Sequence, residues 1–260
     1  MEASPGGNAR RFSIDTHSLQ ILIIVFCATL VRSAFGFGEA LIAVPLLAFC
    51  MPLQVAAPLA VLLSITIAAI VVVQDWRKIH ARSAGWLLLS TVVGIPLGLW
   101  ILTSAHQLAV KAALAVLIVL FSAYSLMAGS SPELHSDSRK WLLGCGFCAG
   151  VLGGAYGMNG PPLVLYGSLR RWSAQQFRAT LQAYFLPASL LGMAGYWRAG
   201  LWGHAVSHDY LLSLPAMVPA VFLGRWINHR LPTEVFLRYV YIGLGCIGVL
   251  LFVQSVHGRL

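Results

Sequence analysis

The stretch Gly144–Gly167 reads GCGFCAGVLGGAYGMNGPPLVLYG. It holds no Asp, Glu, Lys, Arg or His and so fits hydrocarbon, yet its glycines together with Pro161 and Pro162 do not fit one regular helix. The reading is a membrane helix that breaks. Irregular backbone at membrane depth is tolerated only where protein or a water-filled cavity surrounds it, because an unpaired amide facing lipid costs several kcal/mol. A break here therefore marks a site. Asn159 is a favourable N-cap and Pro161 or Pro162 suits a first helical turn, so a second half-helix is predicted to start near Gly160, its positive end facing the gap.

The stretch has a twin. An offset of 121 positions places Phe26, Cys27 and Ala28 on Phe147, Cys148 and Ala149, and Ala34, Phe35 and Gly36 on Ala155, Tyr156 and Gly157. With a few gaps the agreement continues: His80, Ala81 and Ser83 meet His204, Ala205 and Ser207, and Gly98, Trp100 and Ile101 meet Gly224, Trp226 and Ile227. Agreements in one order and at nearly one spacing argue for two tandem halves of one ancestral unit.

Composition sets the class. Apolar residues make up 58% of the chain and charged residues 10%, far from the soluble average, so this is an integral membrane protein. In a soluble protein the net charge of +9 would suggest nucleic acid; here it reads as basic loops beside anionic lipid, with no nucleic-acid partner expected. The five cysteines, Cys27, Cys50, Cys145, Cys148 and Cys246, lie in apolar runs and read as small buried hydrophobes. Cys145 and Cys148 have CxxC spacing but no second pair or nearby His, so neither a metal nor a cofactor is expected.

The chain divides into a polar tail (1–18), a first membrane repeat (19–127), a linker containing Gly129, Ser130, Ser131 and Pro132 (128–140) and a second membrane repeat (141–256). Charge-free runs provide roughly eight crossings. Full spans are predicted near Val55–Gln74, Ala84–Thr103, Gln107–Met127, Ala179–Trp197, Tyr210–Trp226 and Glu234–Phe252. The broken elements are Leu19–Val31 with Ala40–Met51, and Trp141–Leu169. The expected fold is thus an all-α polytopic bundle in which a broken or re-entrant Gly-rich element opens each half. Trp86, Trp100, Trp141, Trp172, Trp197, Trp202 and Trp226 fall near span ends, where interfacial anchors belong. If each Gly-rich element is a hairpin returning to its own side, the halves are inverted and the loops at Arg77, Arg139, Arg170 and Arg225 all face the cytoplasm; even-numbered crossings would make the halves parallel. The charges favour inversion.

The first break lies in RSAFGFGEALIAVP, Arg32–Pro45, with Gly36, Gly38 and Pro45; the second has Gly150, Gly153, Gly154, Gly157, Gly160 and Pro161. Two halves built this way resemble the sulfite exporter TauE/SafE family of membrane permeases, over nearly the whole chain from Leu19 to Phe252. The resemblance implies a secondary transporter in the cell membrane for a small anion such as sulfite, a sulfonate or another sulfur-containing or organic anion.

The residues lead to an anion site by a separate route. Half-helix N-termini near Gly36, Gly38, Gly157 and Gly160 supply free amides and partial positive charge without a buried lysine. Arg32 is the basic residue deep inside a predicted span: it either binds the anion or pairs with Glu39. Glu39 either carries a proton, coupling transport to the proton gradient, or caps a half-helix. Asn159 is an N-cap and a candidate ligand, and Tyr156 and Gln182 either line the cavity or bond to their neighbours. His80, His204 and His208 read as solvated loop residues.

Other functions have less support. An enzyme is not expected, because H-E-x-x-H, a nucleophile elbow, Walker A and a carboxylate pair are all missing. A passive anion channel is compatible with the same physics but needs no coupling residue. A scaffold has no use for twin broken helices. Substrate identity, direction and oligomeric state are not encoded in these patterns.

Overall fold

The computed structural model describes residues 16–75, 81–127, 139–169, 174–228, 241–242 and 245–253. Among them every regular element is helical: α1 (Thr16–Phe35), α2 (Glu39–Cys50), α3 (Leu53–Asp75), α4 (Ala81–Ser104), α5 (Gln107–Met127), α6 (Arg139–Tyr156), α7 (Gly160–Leu169), α8 (Ala174–Arg198) and α9 (His204–Asn228). Residues 245–253 are helical as well. A chain in hydrocarbon is driven to this state because a helix pairs its backbone polar groups within its own segment. Prolines at 45, 58, 96, 187, 215 and 219 sit inside these helices, as membrane helices tolerate.

Five segments are long and apolar enough to cross a bilayer: Thr16–Phe35, Leu53–Val73, Ala84–Ser104, Gln107–Met127 and His204–Gly224. The outer faces agree. Leu89, Val93, Leu97 and Trp100 of α4 and Leu211, Val218, Phe222 and Trp226 of α9 are exposed, a surface suited to lipid and not to water. These are the features of a multi-pass membrane protein. The expected tail and linker lie outside the described residues except at their ends, where Thr16–Ser18 begin α1 and Arg139 and Lys140 begin α6. Of the last expected span, Glu234–Phe252, residues 234–240 and 243–244 also lie outside them.

Two sequence readings are corrected. His204 and His208 belong to the first turns of α9, where their exposed rings stack with centroids 6.3 Å apart; they are not loop residues. Of the cysteines only Cys145 is buried; Cys27, Cys148 and Cys246 are on the outer surface, which for a membrane helix is also an apolar setting.

Contacts between helix ends fix how the elements run. The thiol of Cys50, which ends α2, lies 3.6 Å from the side-chain oxygen of Gln20 near the start of α1, so α1 and α2 form a hairpin. The Lys111 ammonium of α5 donates to the Ala48 carbonyl at the same end of α2, 2.7 Å away. Gln54, at the start of α3, donates to the carbonyl of Leu102 near the end of α4 (3.4 Å) and accepts from Gln107 at the start of α5 (3.3 Å).

The most extensive helix pairing is α4 with α6, followed by α1 with α9. Along α4, Leu87, Thr91 and Ile95 face Gly146, Gly150 and Gly154 of α6 in turn, so the two helices run the same way. Gly94 and Gly98 on one side and Gly146, Gly150 and Gly154 on the other form small-xxx-small rows, and a Cβ at any of them would strike facing atoms. The glycines from Gly144 to Gly154 therefore stay within a helix; the break is confined to Gly157–Asn159. Gly224 of α9 meets Leu30 and Ala34 of α1 as Gly98 meets Val151 and Ala155. These are the positions matched by the internal repeat.

Candidate functional site

Each break begins with a left-handed glycine. Gly36 has φ 85° and Gly157, its repeat partner, φ 67°, a backbone region that residues with a side chain enter at a cost. In the first break Gly36 N–H donates to the Arg32 carbonyl at 2.6 Å, and the ladder of α2 starts with Ile42 N–H to the Gly38 carbonyl at 3.2 Å. In the second, Gly157 N–H donates to Gly153 at 2.9 Å and Met158 N–H to Leu152 at 3.2 Å. The Tyr196 hydroxyl of α8 lies 2.8 and 2.9 Å from the carbonyls of Gly153 and Gly154 and is placed to donate to either. Backbone groups freed by the break thus find a partner inside the protein, as burial requires.

The two breaks meet. One cavity is lined by Phe37, Gly38, Glu39, Ala40 and Leu41 at the start of α2 and by Gly157, Met158, Asn159 and Gly160 at the start of α7. Arg32, Ser64, Phe185 and Ser189 complete it. The first N–H groups of a helix lack intrahelical partners and carry the positive end of its dipole, so two such ends face one small space. That space is about 20 Å³, room for a water molecule and not for an oxyanion of several heavy atoms.

Arg32 dominates the electrostatics. It sits in the last turn of α1, 4% exposed, and Glu39 opens α2 at 1% exposed; each charge has the sign its helix end favours. An Arg32 terminal nitrogen donates to a Glu39 carboxylate oxygen at 2.5 Å and to the Ser64 hydroxyl at 2.7 Å. The other donates to the Gln182 side-chain oxygen at 2.9 Å, and the guanidinium lies 5.0 Å from the centre of the Phe185 ring. Gln182 in turn donates to the Gly36 carbonyl at 2.7 Å, and Ser189 donates to Ser64 at 3.2 Å. Two atoms of this network are buried without a partner: Nε of Arg32 and the second carboxylate oxygen of Glu39. Buried polar atoms are rarely left so, and both belong to the charged pair at the cavity.

The second half builds its tip differently. Where the first half has Arg32 and Gly38, an offset of 121 gives Gly153 and Asn159. The Asn159 side chain fills the space a Cβ on Gly153 would enter, so the charged pair of the site comes from one half alone.

Of the residues singled out from the sequence, Arg32, Gly38, Glu39, Gly157, Asn159 and Gly160 line the cavity. Gly36 and Gln182 stand directly behind Arg32. Tyr156 is elsewhere: its hydroxyl donates to the Val110 carbonyl of α5 at 3.1 Å, and it is not part of the lining. Arg32 and Glu39 are paired, and the N-cap of α2 is Gly38, which has no side chain to cap the helix. Ser64, Phe185 and Ser189 were missed. No group of His, Cys, Asp and Glu suited to a metal occurs among the described residues.

Comparison with known proteins agrees with this architecture. The description "Sulfite exporter TauE/SafE" belongs to a protein family whose pattern matches residues 21–251. A protein of Cupriavidus necator named "Probable sulfite/organosulfonate exporter TauE" is 27% identical over 152 residues. That match covers 58% of this chain and 58% of the relative's length. No solved structure matches the chain. With nearly its whole membrane region matched, the chain belongs to the sulfite exporter TauE/SafE family.

Proposed function

We propose that this protein is a secondary transporter for a small sulfur-containing or organic anion, held between the N-termini of α2 and α7 with Arg32 as its full-charge anchor. One observation carries the reading: the Arg32 guanidinium is buried at the cavity formed by two half-helix tips, with its Nε unpaired. Charge-assisted donors and helix N-termini are the groups that hold sulfonate, sulfite or carboxylate. The name of the Cupriavidus relative, a sulfite/organosulfonate exporter, supports the same substrate class. A cavity with room for about one water is too small for the substrate, so the site must widen to bind it, and a carrier does so by opening alternately to the two sides.

The two halves are inverted repeats in this reading. The Gln20–Cys50 and Lys111–Ala48 contacts put the start of α1 at the end of the molecule that also holds the end of α4. α6 runs with α4 and starts at α4's other end, where the Arg139 guanidinium lies 5.3 Å from the Trp86 ring. Helices α1 and α6, which begin the two halves, thus enter from opposite sides. Inverted halves of this kind support alternating access by rocking of one half against the other around the shared site.

Counter-flow in proteoliposomes tests the function, with sulfite, thiosulfate, sulfoacetate, taurine and simple carboxylates as the panel. Saturable exchange of one or more sulfur-containing anions is expected. Zwitterionic taurine, lacking net charge, should exchange poorly. Flux that never saturates would indicate a channel in place of a carrier.

A further inference from the structure

The Arg32–Glu39 pair raises a question of charge. As the pair stands, the site is formally neutral, and Glu39 holds the guanidinium nitrogen that faces it at 2.5 Å. An incoming anion would add a second negative charge to a buried space that already holds one. Uncompensated buried charge is strongly disfavoured, and like charges sharing a site are resolved by protonating one of them. Beyond the partial charge of the two helix ends, the surrounding side chains offer no other compensation. Facing the pair are Ser64 from α3, Asn159 from α7, and Gln182, Phe185 and Ser189 from α8, all without charge. Among the described residues at the cavity, Arg32 and Glu39 are the ionisable ones.

We propose that the Glu39 carboxylate is an internal occupant of the anion site, and that a transported anion reaches Arg32 only as Glu39 takes up a proton, so that one proton moves with each anion. This rests on the site reading above. The cavity's small volume fits exchange and not addition: there is space for a water beside the pair, so the anion must take over the carboxylate's hold on Arg32. The unpaired Nε of Arg32 gives the anion a second donor that Glu39 does not use, and the unpaired oxygen of Glu39, buried in this state, is free to take the proton once the site opens. The proton comes from the aqueous compartment to which the cavity is open and returns to solution on the other side as the anion leaves. Protonated Glu39 is neutral, so the loaded site again has one positive and one negative charge for a monovalent substrate.

The test is calorimetric titration of the full-length protein in nanodiscs with isethionate and with sulfite, in buffers of different ionisation enthalpy. Isethionate stays ionised at every pH of the assay, so protons taken up with it are bound by the protein. The expected result is close to one proton taken up per isethionate bound, with affinity falling about tenfold per pH unit on the alkaline side. Glu39→Gln should bind with no proton uptake and no pH slope, while Glu39→Asp should retain both. Binding to the unmodified protein without proton uptake overturns the coupling proposal alone, as does a slope that persists in Glu39→Gln. If neither anion binds, or both bind Arg32→Gln as tightly as the unmodified protein, the site reading itself fails. The proton count on the unmodified protein decides the matter even if Glu39→Gln does not fold.

Discussion

The Gln182 side-chain amide donates to the carbonyl of Gly36, 2.7 Å away, although 146 positions separate them. The same side chain accepts from Arg32 at 2.9 Å, so one glutamine of α8 holds both the backbone of the first break and the charge beside it. Gln182→Leu would leave the Gly36 carbonyl and an Arg32 N–H buried without partners, at about 1–3 kcal/mol each. A lower melting temperature in detergent and weaker anion binding are expected together. A variant with full stability and full affinity would show that the bridge is incidental.

Helix α6 approaches α4 at backbone distance. Gly98→Val would drive a branched side chain into the carbonyl of Val151 and should cost about 3 kcal/mol or more, because facing backbone cannot yield as a side chain can. Gly192→Ala in α8 is the control. Its Cβ would meet no atom within 4 Å, and alanine should be neutral or stabilise by up to about 1 kcal/mol. Thermal unfolding of the two variants checks the contrast.

The tip glycines of the second half should behave differently from each other. Gly157→Ala forces a side chain onto a residue at φ 67° and against the Ala57 carbonyl, so a stability loss of about 1–2 kcal/mol is expected. Gly160 has open space at its Cβ position and lines the cavity. Gly160→Leu should therefore insert and fold yet lose anion exchange, since its side chain occupies the substrate's place. Chromatographic monodispersity with and without transport distinguishes the two outcomes.

The arrangement of the halves is checked by thiol labelling in a cysteine-free background. Gln107, at the end shared by α3, α4 and α5, and Lys140, at the start of α6, are exposed and fall at opposite ends of the molecule. With the basic loops in the cytoplasm, an impermeant reagent applied to intact cells should label Gln107→Cys and leave Lys140→Cys unreacted. Labelling of both from outside would contradict the inverted arrangement.

Much of this was legible before any coordinates because broken membrane helices leave strong local marks. The N-cap Asn159 and the prolines after it mark the start of the second half-helix near Gly160, and α7 begins at Gly160. Arg32 and Glu39 stood out because charge is rare at depth. The role of Gly146, Gly150 and Gly154 was not legible, since a row of small residues serves either a helix contact or a helix break, and the neighbour that decides between them is 55 positions or more away in α4. Ser64 and Ser189 are lone polar residues in apolar runs, indistinguishable by sequence from any serine bonded within its own helix. Which of its two readings Tyr156 follows is open in the sequence for a related reason. Its position beside the break is set by the chain, but the direction of its ring is set by packing on α5.

Arg32→Gln in the counter-flow and binding assays measures the account's main claim most directly. Glutamine retains a hydrogen-bond donor and removes the charge, so the anion should bind about 1.5–3 kcal/mol more weakly, roughly a ten- to hundred-fold loss. Insertion should persist, because it follows the hydrophobicity of the spans. Anion counter-flow with unchanged affinity in the Arg32→Gln protein would place the site elsewhere and contradict the account.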